Sequence, residues 1–193
     1  TLVNEGRLRF TGCGVTTPDT LLPEDELLLR DLLVGQEWLR SRAMDQEPRL
    51  LYLPDSFGHS PGLPALLAAG GIDYAAVCRI DGMRFPGADM EPAANFPRPG
   101  TSAAHLLAEG TADFVWRSAD GSEVLTHWMA HGYGHGDMIA SSGLSRVMGL
   151  PAAWPDRRTG RVDARIDRYL TELRSVARTP YRLLVIGYDF VRP

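Results

Sequence analysis

Apolar and polar positions alternate along this chain in two periods, and the two interleave. Leu28, Leu32, Gly35 and Leu39 fall on one face of a helix that opens near Pro23, the apolar spacing of three and four that a half-buried helix needs. Its charges agree with the helix dipole, with Glu24, Asp25 and Glu26 early and Arg40 and Arg42 late. Leu50 to Leu53 is a short apolar run stopped by Pro54, as in a buried parallel strand. Leu63 to Ala69 reads as a short helix and Tyr74 to Cys78 as another strand. Phe114 to Trp116 and Val124 to Trp128 flank Asp120-Gly121, a turn dipeptide that predicts a hairpin. The last helix carries Val162, Ile166, Leu170 and Leu173 on one face, and Leu183 to Ile186 reads as the final strand. Arg7 to Val15 has strand character as well, ending in Gly12-Cys13-Gly14. Strands alternating with helices predict an α/β fold with a mostly parallel sheet.

Two stretches show no period. Arg84 to Gly100 is rich in Pro and Gly, and His131 to Gly143 in Gly and His, so both are expected as loops. No internal repeat or linker divides the chain.

The 193 residues suffice for one domain with a sizeable core. A net charge of −4 with scattered arginines and no lysine excludes the concentrated basic face of a nucleic-acid binder. No apolar run approaches the roughly 20 residues that span a bilayer, so no membrane partner is expected. Cys13 and Cys78 are too few for a disulfide framework and are expected as buried strand residues.

Candidate chemistry sits where three apolar runs end, because such folds gather functional groups at the carboxyl ends of their strands. Leu50–Leu53 leads into Pro54-Asp55-Ser56-Phe57-Gly58-His59-Ser60, Tyr74–Cys78 into Arg79, and Leu183–Ile186 into Gly187-Tyr188-Asp189-Phe190. Two carboxylates and an arginine suit glycoside hydrolysis: a nucleophile, a general acid/base, and a cation that keeps the nucleophile ionised. The bland alternative makes Asp55 a helix cap and Asp189 a turn residue.

The block Pro54-Asp55-Ser56-Phe57-Gly58-His59-Ser60-Pro61, followed by Leu63-Pro64, Gly71-Ile72-Asp73-Tyr74 and Arg79, resembles glycoside hydrolase family 38, the α-mannosidases. Trp116, Asp120-Gly121-Ser122 and Gly187-Tyr188-Asp189-Phe190 continue the likeness downstream. Gly12-Cys13-Gly14-Val15 and Pro18-Asp19-Thr20 continue it upstream, so it covers nearly the whole chain. The resemblance implies an incomplete seven-stranded β/α barrel, with residues 1–193 part of a single catalytic domain cut at both ends. The start at Thr1 without Met and the stop at Pro193 agree with that expectation, and a cytoplasmic setting is favoured.

The resemblance also implies roles. Asp55 matches an aspartate that attacks the anomeric carbon and ligates zinc, Asp189 the acid/base, and Arg79 an arginine that contacts the nucleophile. Tyr133 and Asp19 match residues near the sugar. The substrate would be a mannose-containing oligosaccharide or glycan, whose cis 2- and 3-hydroxyls can chelate one zinc ion. Carboxyl groups at about 5–5.5 Å would give retention of configuration.

Two readings stay open beside this one. The family's zinc site also uses a His-x-Asp pair on a first strand and a histidine from a later helical domain. The chain is read as lacking that pair, which leaves Asp55 as one of the four implied ligands. A metal-dependent polysaccharide deacetylase is the first alternative, though it would need an early Asp-Asp and a helical His-x-x-x-His. An inert or sugar-binding fragment without the full metal site is the second. His131 and His135, four apart among glycines, are not expected to be a ligand pair. His59 is expected to bond structurally behind Asp55, His105 and His127 to be ordinary surface or hairpin residues, and Trp128 to lie in the core, with Trp116 open.

Overall fold

The computed structural model describes residues 2–3, 5–42, 48–83, 95–134 and 159–185. Its elements run α1 (Asp25–Ser41), β1 (Leu50–Leu53), α2 (Leu63–Ala69), β2 (Tyr74–Val77), α3 (Ser102–Glu109), β3 (Asp113–Arg117), β4 (Glu123–Trp128) and α4 (Thr159–Leu173). A 3-10 turn, Arg174–Val176, follows α4. They pack as two compact units: Thr1–His105 with Asp113–Trp128, and Leu106–Ala112 with Met129–Pro193.

In the first unit the strands form one sheet in the order β1-β2-β4-β3. β1 pairs parallel to β2, and β2 parallel to β4. β3 returns antiparallel to β4 as the expected hairpin, with Val115 opposite Leu125. The fold is therefore mixed α/β with a mostly parallel sheet. Alternation decides which face is buried: Leu51 and Leu53 of β1, Ala75 and Val77 of β2 and Val124 of β4 point to the same side. There they join Leu32 of α1 and Leu63 and Leu67 of α2 in one core.

α1 keeps the predicted polarity, with Asp25 and Glu26 in its first turn and Arg40 in its last. Its buried face is Leu28, Leu32, Gly35 and Gln36, with Leu39 half-buried. Gln36 donates to the Gly70 carbonyl at 2.7 Å, locking α1 to the end of α2. Gly35 has a different task. An added Cβ there would lie 2.4 Å from Cys13 O and 2.5 Å from Gly14 C, so the helix seats directly on the backbone of that segment. Asp31 extends the seat by accepting from Thr16 N and Thr16 Oγ1.

The structure corrects two expected strands. Arg7–Val15 pairs with nothing as a strand, because Gly12 takes φ 97° and Cys13 φ 60°, left-handed values no ladder accommodates. One bond, Gly12 N–H to Leu50 O at 2.9 Å, docks the segment beside β1. Cys13 is buried as expected but off any strand, its thiol donating to Leu50 O at 3.2 Å. Burial pushes that thiol up to about 11, more than the bond to Leu50 offsets, so it stays protonated at neutral pH. Cys78 is buried just beyond β2.

The second correction is Leu183–Ile186. Residues 183–185 form no strand, and Ile186 lies outside the described residues. Leu184 instead packs against the cluster of Tyr169 and Leu173 on α4, so burial against a helix replaces pairing. Of six strand-like segments, four form strands among the described residues, and closure into a seven-stranded barrel is not seen there. α3 was not foreseen. Gly100 and Gly110 bracket its eight residues, and Asp81 Oδ2 accepts from Ser102 N at 3.0 Å at its start.

The hairpin turn is pinned by Asp120, which accepts from Ser122 N at 3.0 Å, from Ser122 Oγ at 2.7 Å, and from Ser118 Oγ. These bonds, the one from Ser118 first, bring its carboxyl from the ordinary 3.8 to about 2. Because the folded value is depressed, its contribution to stability is complete above pH 4 or so and lost as pH falls toward 2. A carboxyl NMR titration is expected to place the Asp120 midpoint near 2; a midpoint near 4 would mean the turn bonds do not persist in solution.

Candidate active site

Register alone brings two of the foreseen residues together. Leu53 of β1 is paired with Val77 of β2, and Asp55 and Arg79 each lie two residues further along neighbouring parallel strands. Equal offsets keep both on the same side of the sheet at its carboxyl end. Their side chains meet: Arg79 donates to Asp55 Oδ1 from Nε at 2.8 Å and from Nη2 at 2.6 Å. The arginine is 12% exposed and the aspartate 43%. Both donors take one oxygen, and Oδ2 carries no hydrogen bond or ion pair to any described residue. The pair thus fixes the carboxylate's rotation and leaves one oxygen available. Phe57, exposed beside it, lies under the guanidinium at 5.2 Å.

A second layer ties this turn to the segment after Cys13. Buried Ser56 donates to Pro18 O at 2.8 Å, and Thr20 and His59 form an isolated parallel bridge. His59 places Nε2 3.0 Å from Arg79 O and Nδ1 3.2 Å from Thr20 Oγ1, and Trp116 meets its ring edge-on at 5.7 Å. The structural role expected of His59 is what the geometry shows. Burial holds its imidazole below the usual range, against the opposing effects of the bond to Arg79 O and the charge of Asp19. Asp19 reaches this corner too, with Oδ1 accepting from Leu21 N at 2.8 Å and Leu22 N at 3.1 Å. Thr20 and Ser56 were missed in the sequence, since only tertiary contact gives them a role.

Tyr133 lies half-buried in the second unit, and Asp189 falls outside the described residues, as do His135 and the Gly187–Phe190 stretch. The foreseen Asp55, Arg79 and Asp189 convergence is thus present for its first two members. Trp128 is core, donating from Nε1 to Cys78 O at 3.1 Å. His105 is exposed on α3, and His127 pairs across the hairpin with Asp113 at 2.8 Å.

Among the described residues no three His, Cys, Asp or Glu side chains group as a metal site. Asp55 fits the part of one ligand, with Oδ2 open and the side chain accessible. His59 does not, since both ring nitrogens are already engaged. The expectation that the chain lacks His-x-Asp needs correcting: His135-Gly136-Asp137 is such a triplet. It stands in the Gly- and His-rich stretch, outside the described residues, whereas no histidine precedes His59 where the first-strand pair would be.

The fold is mixed α/β, with a carboxylate held at the carboxyl end of its sheet. A sequence profile of the glycosyl hydrolases family 38 N-terminal domain matches residues 1–192, and the chain belongs to that family. It is 30% identical over 79 residues to alpha-mannosidase 2 of Homo sapiens, covering 41% of this chain and 7% of that protein. Over 132 residues it is 30% identical to alpha-mannosidase 2 of Mus musculus, covering 66% and 10%. An alpha-mannosidase from Enterococcus faecalis V583 shares the fold, with a TM-score of 0.62 at 20% identity over 96% of this chain and 17% of that one. The chain thus spans a tenth or less of the length of these two curated relatives.

Proposed function

We propose that this chain carries part of the active site of a retaining α-mannosidase, in which Asp55 is the nucleophile and Asp189 the general acid/base. The observation that supports it most is the Arg79–Asp55 pair, which clamps Oδ1 and leaves Oδ2 open at the carboxyl end of the sheet. A nucleophile of this kind needs one oxygen aimed at the anomeric carbon before the substrate arrives, because orientation supplies much of the rate. Arg79 supplies that aim and balances the charge. Asp189 would protonate the leaving oxygen and then take a proton from water in the second step. Asp19 and Tyr133 complete the reading as sugar-contacting residues.

Asp55 would also be one ligand of a zinc ion, which when bound would hold the cis 2- and 3-hydroxyls of mannose. With one fitting donor among the described residues, the 193-residue chain is expected to show no tight, stoichiometric zinc site that depends on Asp55. Calorimetric titration checks this. A tight site abolished by Asp55→Ala would show that the chain itself completes the shell, whereas one abolished by His135→Ala alone would belong to the glycine-rich loop.

The reading is tested in a protein that holds this chain together with a complete zinc site, using 5-fluoro-α-D-mannosyl fluoride, which keeps the 2- and 3-hydroxyls and slows breakdown of a glycosyl-enzyme. Mass spectrometry of the digested protein is expected to place the adduct on the Asp55 peptide, and NMR to show α-mannose as the first product of an ordinary substrate. An adduct on another residue, or β-mannose released first, would sink the assignment.

A further inference from the structure

Three chain segments meet at one imidazole. The Arg79 carbonyl can only accept, so at 3.0 Å the His59 Nε2 must carry the proton. The other tautomer would set two lone pairs against each other at that distance. On the opposite side Nδ1 faces Thr20 Oγ1 at 3.2 Å. Thr20 is 2% exposed, and with Nε2 protonated its hydroxyl is the donor to Nδ1; Gly58 O, inside the turn that carries His59, lies 3.0 Å from the same Oγ1. Trp116 meets the ring edge-on. The ring is therefore held by Thr20 and Trp116 and has one bond to give, to the backbone of Arg79. The side chain of that same residue makes both N–H contacts to Asp55 Oδ1.

We propose that His59 is a positioning residue: by donating Nε2–H to the Arg79 carbonyl, it sets the backbone from which the guanidinium grips Asp55. Thr20 is its anchor. The motif spacing has a physical reason on this account. The turn that places Asp55 returns four residues later with a donor that reaches around to the next strand, so nucleophile, turn and arginine move as one body. Without that bond the Arg79 carbonyl would lose a partner in a half-buried place, and the backbone would rotate to recover one. The guanidinium would move with it. The consequence for catalysis rests on Asp55 being the nucleophile; the coupling between His59 and the ion pair does not.

Glutamine and asparagine separate the two ring nitrogens. The Gln amide nitrogen falls near the position of Nε2 and keeps a donor for Arg79, whereas the Asn amide reaches only as far as Nδ1 and keeps only the Thr20 side. The reporter is the Arg79 Nε–H resonance of the 193-residue chain, assigned by its response to Asp55→Asn. Its hydrogen exchange is expected to quicken about tenfold or more in His59→Asn and His59→Ala, the scale of one lost bond to a partly buried group. In His59→Gln it is expected to stay within about threefold of the wild-type rate. Melting temperatures accompany each variant, and the Gln–Asn comparison decides if His59→Ala does not fold. Equal exchange in His59→Asn and wild type would overturn the proposal. Equal perturbation by Gln and Asn would do the same, since the ring would then only fill space. So would a 15N spectrum showing the proton on Nδ1. If the Arg79 signal responds as expected while no adduct forms on Asp55, the mannosidase reading fails and the positioning role stands.

Discussion

Alanine at Gly35 is expected to lower the melting temperature of the protein by about 2–8 °C, although Gly→Ala inside a helix ordinarily stabilises. The propensity gain is about 1 kcal/mol. Against it stands a Cβ that would sit 2.4 Å from Cys13 O, 2.5 Å from Gly14 C and 2.8 Å from Gly14 Cα. All three are backbone atoms of a segment that cannot swing aside, because Gly12 N–H is bonded to Leu50 O and the Cys13 thiol to the same carbonyl. Overpacking of this kind costs about 1–3 kcal/mol, and a clash with three backbone atoms sits at the top of that range, so the clash wins by about 1–2 kcal/mol. Gly70→Ala is the control: its φ is −82° and its nearest contacts would be 3.5 Å, so little change is expected there. Equal melting shifts in the two variants would show that α1 does not rest on the Cys13–Gly14 backbone. The effect should reach the site as well. The strip that Gly35 supports runs on to Pro18 and Thr20, which hold Ser56 and His59.

The Gly35 contact also marks what the sequence could and could not reveal. Elements set by local period were readable: α1 by its four-residue face, α2 within the bounds Leu63–Ala69, and the hairpin by Asp120-Gly121. The Asp55–Arg79 meeting was readable too, since each residue follows its apolar run at the same offset and parallel neighbours in register do the rest. What failed was apolar content without regard to backbone shape. Arg7–Val15 has strand-like residues, but the left-handed turn at Gly12 and Cys13 decides its course. Leu183–Val185 is apolar enough for a strand, yet an apolar run satisfies a helix face as well as a ladder, and Leu184 took the helix. Tyr169 was absent from the expected face of α4, although its ring is buried there beside Leu173. The roles of Thr20 and Ser56 had no local signal, because each acts across more than thirty residues of chain.

The largest effect on activity is expected from Asp55. On the proposed reading, Asp55→Ala in an enzyme that holds the complete site should reduce α-mannoside hydrolysis by roughly 10⁴-fold or more and abolish the covalent adduct, as loss of a nucleophile does elsewhere. Arg79→Met keeps the nucleophile and removes its clamp. A carboxylate at 43% exposure is well screened, so the loss should show less as instability than as misorientation. Misplacement by about 1 Å costs on the order of 10²-fold, and a fall of about that size in kcat/KM is expected for Arg79→Met. The double variant separates orientation from any independent contribution of Arg79. If the arginine works only by aiming Asp55, Asp55→Ala/Arg79→Met should be no worse than Asp55→Ala, because a clamp has nothing to do once its carboxylate is gone. A further hundredfold loss in the double variant would mean that Arg79 contacts the substrate directly. Asp55→Ala retaining more than a tenth of wild-type turnover would remove the aspartate from the chemistry altogether.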